Sequence, residues 1–358
     1  MPTALRSLAD HTVYLAIRAA LAGVGSIPRG PSESVARSLA RAYARLPSSR
    51  KRVARAVRNL AVAFPDWDRD RIDAYARGAY EHLFALGTEM AQGPHLLTED
   101  GWHRHVALGD ISSGLRALLS AGPCLLITGH CGNWEMLGYT VAFLGFPMHA
   151  LYRPLDLKPL DHWVRRTRER HGRTLMDKFG ALRRLPPMVG AGIPIGFVAD
   201  QNGGDRGVFV PFFNRLTSTY KSIGLLALQF RTRILCAMAR RLPPEEREPG
   251  SFGYRVEVSD VFGPQDWACH PDPLFYLTAR YRRAIERMVR AVPDQYLWMH
   301  RIWRSRPRHE RHQRPFPAAL AEKIRLLPWI TDADLDAIKA HSIRDARTLA
   351  ETGQDKLS

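Results

Sequence analysis

Residues 125–138 read LLITGHCGNWEMLG. The apolar run 125–128 has the length and composition of a buried strand, and Gly129 and Gly132 bend the chain around His130 and Cys131. Asn133 is a good cap for a helix that follows at once. A strand that hands over to a helix through a glycine bend, with a histidine at the strand's carboxyl end, sets the expectation for the rest of the chain.

The pattern repeats outward from this unit. PMHALY (147–152) precedes a helical stretch across 157–170, and TLMD (174–177) precedes one across 179–191. IPIGFVAD (193–200) leads through a loop to a helix that Ser218 or Thr219 would cap, over SIGLLALQF. RILCAMA (233–239) and YRVEVSD (254–260) read as further strands, and 273–292 as a long helix. Such alternation predicts an α/β fold with a largely parallel central sheet flanked by helices, and ligands bound beyond the carboxyl ends of its strands.

With 358 residues and 45% apolar composition, the chain has enough material for a large core, which excludes disorder throughout. Its formal charge of +17 points to an anionic partner: nucleic acid, an acidic protein or an acidic membrane. Through residue 58 the count is eleven basic residues against Asp10 and Glu33 alone; Arg301, Arg304, Arg306, Arg308, Arg311 and Arg314 form a second cluster. Either run can also be a solvated face. The four cysteines show no paired spacing and no secretory leader precedes them, so a reducing compartment is expected.

TVYLAIRAALAGVGSIP (12–28) is interrupted by Arg18 and is short for a span, so it reads as an interfacial helix. SVARSLARAYARL (34–46) sets Val35, Leu39, Tyr43 and Leu46 at helical spacing beside a stripe of Arg37, Arg41 and Arg45; RVARAVRNLAVAF (52–64) repeats the theme with Val53, Val57, Leu60 and Phe64. Basic amphipathic helices of this kind either lie on anionic membranes or pack their apolar faces on the domain. The expected division is 1–65 for membrane-associating helices, 66–307 for the α/β core, and 308–358 for a linker and small helical appendage. Residues 305–317 read as linker, and 327–351 as two short helices.

At the bend, Glu135 falls in the first helical turn, where a carboxylate suits the helix dipole and is able to reach back toward the imidazole. A carboxylate beside a neutral histidine fixes its tautomer and stabilises the imidazolium, as a general base requires. Amides at the helix start are able to steady an oxyanion. Base and oxyanion donors at one turn suggest acyl transfer. On spacing alone, Glu135 serving only the helix end, with His130 a satisfied loop histidine, accounts for the same residues. Cys131 as nucleophile, and zinc held by His130, Cys131, Cys269 and His270, are weaker readings without supporting spacing.

HCGNWE (130–135) resembles the H-x4-D/E motif of lysophospholipid and lipid A acyltransferases. LYRP (151–154), ADQNGGDRGVFVPFFNRLTST (199–219), VPDQYLWMHRIWRSRP (292–307) and RVARAVRNLAVAFPDWDRD (52–70) resemble, in the same order, the bacterial lipid A biosynthesis (lauroyl/myristoyl) acyltransferase family. The resemblance covers about residues 10–307. It implies a lysophospholipid acyltransferase-like fold and an enzyme on the cytoplasmic face of the inner membrane, peripheral or monotopic. That enzyme moves a fatty acyl chain from acyl carrier protein or coenzyme A to a hydroxyl of a membrane glycolipid such as a lipid A precursor. His130 would be the base, with Glu135 or Asp200 as orienting carboxylate; Asn133, Arg153, Gln201 and Arg206 would meet substrate. No metal or cofactor is implied, the acyl donor being a phosphopantetheine thioester. Expected partners are acyl carrier protein, the glycolipid and an anionic membrane surface. Nucleic acid is not expected, since no such motif appears. The tail beyond 315 has no counterpart in the family, and a phosphatidylinositol mannoside, an ornithine lipid or a lysophospholipid are alternative acceptors. A non-catalytic basic membrane- or nucleic-acid-binding protein is the rival of a different class.

Overall fold

Four helices precede the first strand in the computed structural model, which describes residues 3–169, 172–177 and 180–357. They are α1 (Thr3–Gly25), α2 (Arg29–Arg45), α3 (Arg50–Ala63) and α4 (Arg69–Leu96). The last opens where the Asp68 carboxylate accepts from the Arg71 amide at 2.8 Å. The two basic helices that look alike in sequence behave differently. α3 packs: Leu60 is fully buried, and Val53, Val57 and Phe64 lie against the core. α2 instead turns Ser32, Ala36 and Ala40 inward against α4, because small side chains allow close approach, and leaves Leu39 and Leu46 about half exposed.

The strands are β1 (Val106–Leu108), β2 (Cys124–Thr128), β3 (Met148–Tyr152), β4 (Arg173–Asp177), β5 (Ile195–Val198), β6 (Val208–Phe212), β7 (Arg215–Thr219), β8 (Arg233–Arg241) and β9 (Tyr254–Phe262). Between and after them run α5 (Ser112–Leu119), α6 (Trp134–Phe143), α7 (Lys158–Arg168), α8 (Ala181–Gly190), α9 (Lys221–Phe230), α10 (Pro264–Trp267), α11 (Pro273–Ala291), α12 (Arg308–Arg311), α13 (Ala318–Arg325) and α14 (Asp332–Thr352). Arg170 and Phe179, at the ends of two expected helices, lie outside the described residues. Seven strands form one sheet in the order β1-β9-β8-β2-β5-β3-β4. From β8 to β4 all neighbours are parallel; β9 joins β8 antiparallel, so the sheet is mostly parallel. All five residues of β2 are buried, as a central parallel strand requires.

Three expectations are corrected. Ser218 and Thr219 do not cap a helix: they end β7, which folds back on β6 as an antiparallel hairpin, and α9 begins at Lys221. The hairpin turn uses Phe213 and Asn214 at positive φ of 51° and 50°, a two-residue turn written without glycine and therefore invisible to turn rules. Residues 305–317 are not a free linker, because Arg306 is fully buried and bonded to Glu310 and Leu216. Residues 327–351 are not two short helices: α14 is one 21-residue helix whose N-terminus is closed by a reciprocal Thr331–Asp334 capping box. Buried side chains of α3 and of the tail, including Leu60, Ile324 and Ile338, belong to the same apolar cluster as the sheet's Leu125 and Ile195.

Candidate active site at the carboxyl edge of the sheet

The register of β2 on β5 sets up the site. Thr128 lies opposite Val198, and the Ala199 amide donates to the Thr128 carbonyl at 2.8 Å, which carries the ladder one step past both strands. At the same offset residue 130 faces residue 200. The His130 Nδ1–H donates to Asp200 Oδ1 at 2.7 Å. Gly129 permits this approach: a Cβ there would come within 2.9 Å of Ile285 and 3.5 Å of the Asp200 Cβ. Gly132, at φ +61°, is held more tightly still, since a Cβ would sit 2.1 Å from the Ala239 carbonyl oxygen.

Burial by itself would raise the Asp200 carboxyl. The imidazole of His130, its hydrogen bond and the buried guanidinium of Arg282 outweigh burial and hold the group well below the usual carboxylate range. An ionised Asp200 fixes the neutral imidazole with its proton on Nδ1 and leaves Nε2 as the basic atom. The Gln201 amide nitrogen lies 3.5 Å from Nε2. Trp134 stands edge-on to the ring at 4.9 Å, and His300 tilts over it at 5.0 Å. Burial first, then the proximity of His130, pushes His300 down to about 4, so it stays neutral at physiological pH.

Glu135 is drawn elsewhere. Its two oxygens take Arg168 and Arg173, each at 2.9 Å, and these cations keep it ionised against the cost of burial. Asn133 caps α6 through the Met136 amide at 2.9 Å and donates to Glu89 at 3.0 Å, so it shapes the turn from beneath. The amides of Gly132 and Asn133 are bound to the Gln295 and Ala239 carbonyls, so they are not free to hold an oxyanion. Arg153 and Arg206 are exposed on the segments leaving β3 and β5 at the same sheet edge, and neither is drawn into the His130 cluster. Cys131 is fully buried with its thiol toward the Met288 carbonyl at 3.6 Å, and burial pushes that thiol far up, the reverse of an activated nucleophile. The zinc reading fails on geometry: among the described residues no three metal-ligating groups converge.

Several supports of the turn carry no sequence signal. Glu89, on α4, receives Arg29, Arg241 and the Tyr254 hydroxyl in addition to Asn133. His82 Nε2 lies 3.0 Å from the Gly132 carbonyl, and Arg241 Nε 3.5 Å from His82 Nδ1. These residues come from distant elements and meet only in three dimensions. His300 lies in the 292–307 stretch that carries the family resemblance, but no residue pattern there marks it as a neighbour of the imidazole. Asn59 on α3 binds the Trp298 and His300 carbonyls at 2.7 and 2.9 Å, which locks the segment over the imidazole. Between α4 and α6 an apolar groove of about 180 Å³, lined by Leu83, Leu86, Met90, Trp134, Met136 and Tyr139, begins at the Trp134 that touches His130.

A comparison with known proteins places this architecture. The chain is 28% identical over 196 residues to the lipid A biosynthesis palmitoleoyltransferase of Escherichia coli (strain K12) and to a lipid A biosynthesis acyltransferase of Shigella flexneri; each match covers 54% of this chain and 59% of the relative's length. It is 23% identical over 264 residues to a lipid A biosynthesis acyltransferase of Haemophilus influenzae, covering 72% of this chain and 77% of that protein. The family profile described as bacterial lipid A biosynthesis acyltransferase matches residues 3–305, through the hairpin, the His130 turn and the segment over the imidazole, and on that span the chain belongs to this family.

Proposed function

We propose that this protein transfers a fatty acyl chain from acyl carrier protein, or coenzyme A, to a hydroxyl of a membrane glycolipid such as a lipid A precursor, with His130 as general base. The observation that carries the reading is the 2.7 Å bond from His130 Nδ1 to an ionised Asp200, which leaves Nε2 basic beside Gln201. In this scheme the acceptor O–H donates to Nε2 and its oxygen attacks the thioester carbonyl. The tetrahedral intermediate collapses, the C–S bond breaks, and the departing thiolate takes the proton from the imidazolium. Asp200 orients the ring and balances its transient charge. Gln201 is within reach of the reacting oxygens, and the groove at Trp134 suits the apolar chain. Proton transfer within this chain's own residues completes the step.

A peripheral seat on the cytoplasmic face of the inner membrane fits the N-terminal helices. Val13 and Leu15 on α1 are exposed apolar side chains, as are Val35 and Leu39 on α2 and Leu46 just past its end, and α2 also carries Arg37, Arg41 and Arg45. Among the described residues no helix is long and apolar enough to cross a membrane. Leu15→Asp with Leu39→Asp is expected to release the protein from anionic vesicles; undiminished flotation of that variant would contradict the seat. For the reaction, labelled acyl carrier protein thioester is incubated with a panel of glycolipid acceptors, and His130→Ala is expected to abolish transfer. A variant that matches wild type would sink the base assignment, and the panel separates lipid A precursors from the alternative acceptors.

A further inference from the structure

We propose that a second cleft, walled by α3, residues 301–304 and the C-terminal end of α14, is a binding site for a phosphate-bearing ligand. The cleft encloses about 350 Å³, within the size of small-molecule pockets of roughly 300–1,000 Å³. Six cations line it, Arg55, Arg58, Arg215, Arg301, Arg304 and Lys356, against the single carboxylate Asp345. That carboxylate is already occupied, by Arg215 at 2.8 Å and Arg306 at 2.7 Å, and Lys356 is held by Asp205 at 3.0 Å. Arg55, Arg58, Arg301 and Arg304 are left with no carboxylate in ion-pair range among the described residues.

A second polar cavity of the molecule is balanced differently. In the polar cavity beside α2 and the end of β8, Arg247 is matched to Glu33 at 3.1 Å and Arg240 to Glu257 at 3.1 Å. Like charges gathered in a concavity without counter-charge repel one another and raise the local potential, which an incoming dianion relieves. Burial, and then the neighbouring charges of Arg301 and Arg58, already depress the Arg55 guanidinium. Guanidinium groups match phosphate oxygens with forked, charge-assisted hydrogen bonds. One wall, formed by Thr348, Thr352, Gln354 and Leu357, lies beyond residue 305, where the family match ends. The wall is fixed in place by the Leu357 amide on the Arg304 carbonyl at 3.0 Å. The opposite wall, α3, also grips the 298–300 segment through Arg55 and Asn59, so a bound phosphate would brace the stretch that carries His300.

The inference stands apart from the acyl-transfer reading, because its test reads binding alone. Full-length protein is titrated calorimetrically with inorganic phosphate and with glucose 1-phosphate, and floated with phosphatidylcholine vesicles with or without phosphatidic acid. Arg58→Gln with Arg304→Gln, both exposed, is compared with Arg183→Gln with Arg184→Gln, an equal charge loss on α8. The cleft variant is expected to lose about tenfold or more in affinity while the α8 variant keeps the wild-type value. Loss confined to the soluble phosphates assigns a free phosphate ester, and loss confined to phosphatidic acid assigns a lipid headgroup. No binding of either probe by wild type, or equal behaviour of the two variants, would overturn the proposal.

Discussion

Replacing Asp200 by asparagine keeps the shape of the side chain and removes its charge. The amide then meets His130 in one of two ways, neither of them productive. If its NH₂ faces the ring, the imidazole must accept at Nδ1 and carry its proton on Nε2, which cannot then receive the acceptor hydrogen. If its oxygen faces the ring, the tautomer survives but the imidazolium has a neutral partner. The bond at stake is charge-assisted, 2.7 Å long, and made to a carboxylate that is 1% exposed. Breaking such a buried pair costs about 3–5 kcal/mol. At ~1.4 kcal/mol per tenfold, this amounts to a loss of turnover of roughly 10²- to 4 × 10³-fold. The assay is the initial rate of transfer from labelled acyl carrier protein thioester at saturating acceptor, run beside thermal melting. The folded pKa of Asp200 lies below its ordinary 3.8, so the carboxylate contributes stability above that value and loses it as pH falls further. Asp200→Asn should lack that portion of the acid loss. A variant within tenfold of the wild-type rate, with comparable melting, would refute the orienting role of Asp200.

Two further outcomes test the supporting structure. Arg306→Ala leaves Glu310 and Asp345 buried around a missing cation, so it should cost about 3–5 kcal/mol, read as a lower urea midpoint at unchanged slope. His82 is pushed down to about 4, by burial first and by Arg241 next, against an ordinary 6.5. The unfolded chain therefore binds a proton that the folded one refuses, and stability falls as pH drops from about 6.5 to about 4. His82→Gln, which retains a donor for the Gly132 carbonyl, should remove about 3 kcal/mol of that loss; an unchanged acid profile would show that His82 is not the titrating group.

The sequence alone determined the periodic features: apolar runs at 124–128, 195–198 and 233–239 become strands in the interior of the sheet because a strand covered on both faces needs apolar residues on both. It likewise placed His130 at a glycine bend before a capped helix, since caps and glycines act over three or four residues. The partner of that histidine was beyond its reach. Glu135, five positions away, and Asp200, seventy positions away, were both candidates. Sequence distance favoured the first, but the parallel register between two non-consecutive strands brings the second to 2.7 Å, while Arg168 and Arg173 take Glu135. The same holds for α2, whose larger apolar residues read as the inward face although Ser32, Ala36 and Ala40 are the buried ones, with Tyr43 alone of the larger set packing on Tyr80 and Phe84 of α4. It holds too for Arg306 and the tail, where a basic, proline-rich stretch reads as solvated until Glu310 and Asp345 meet it. Local patterns record what each segment prefers by itself, and tertiary contact decides which charge neutralises which.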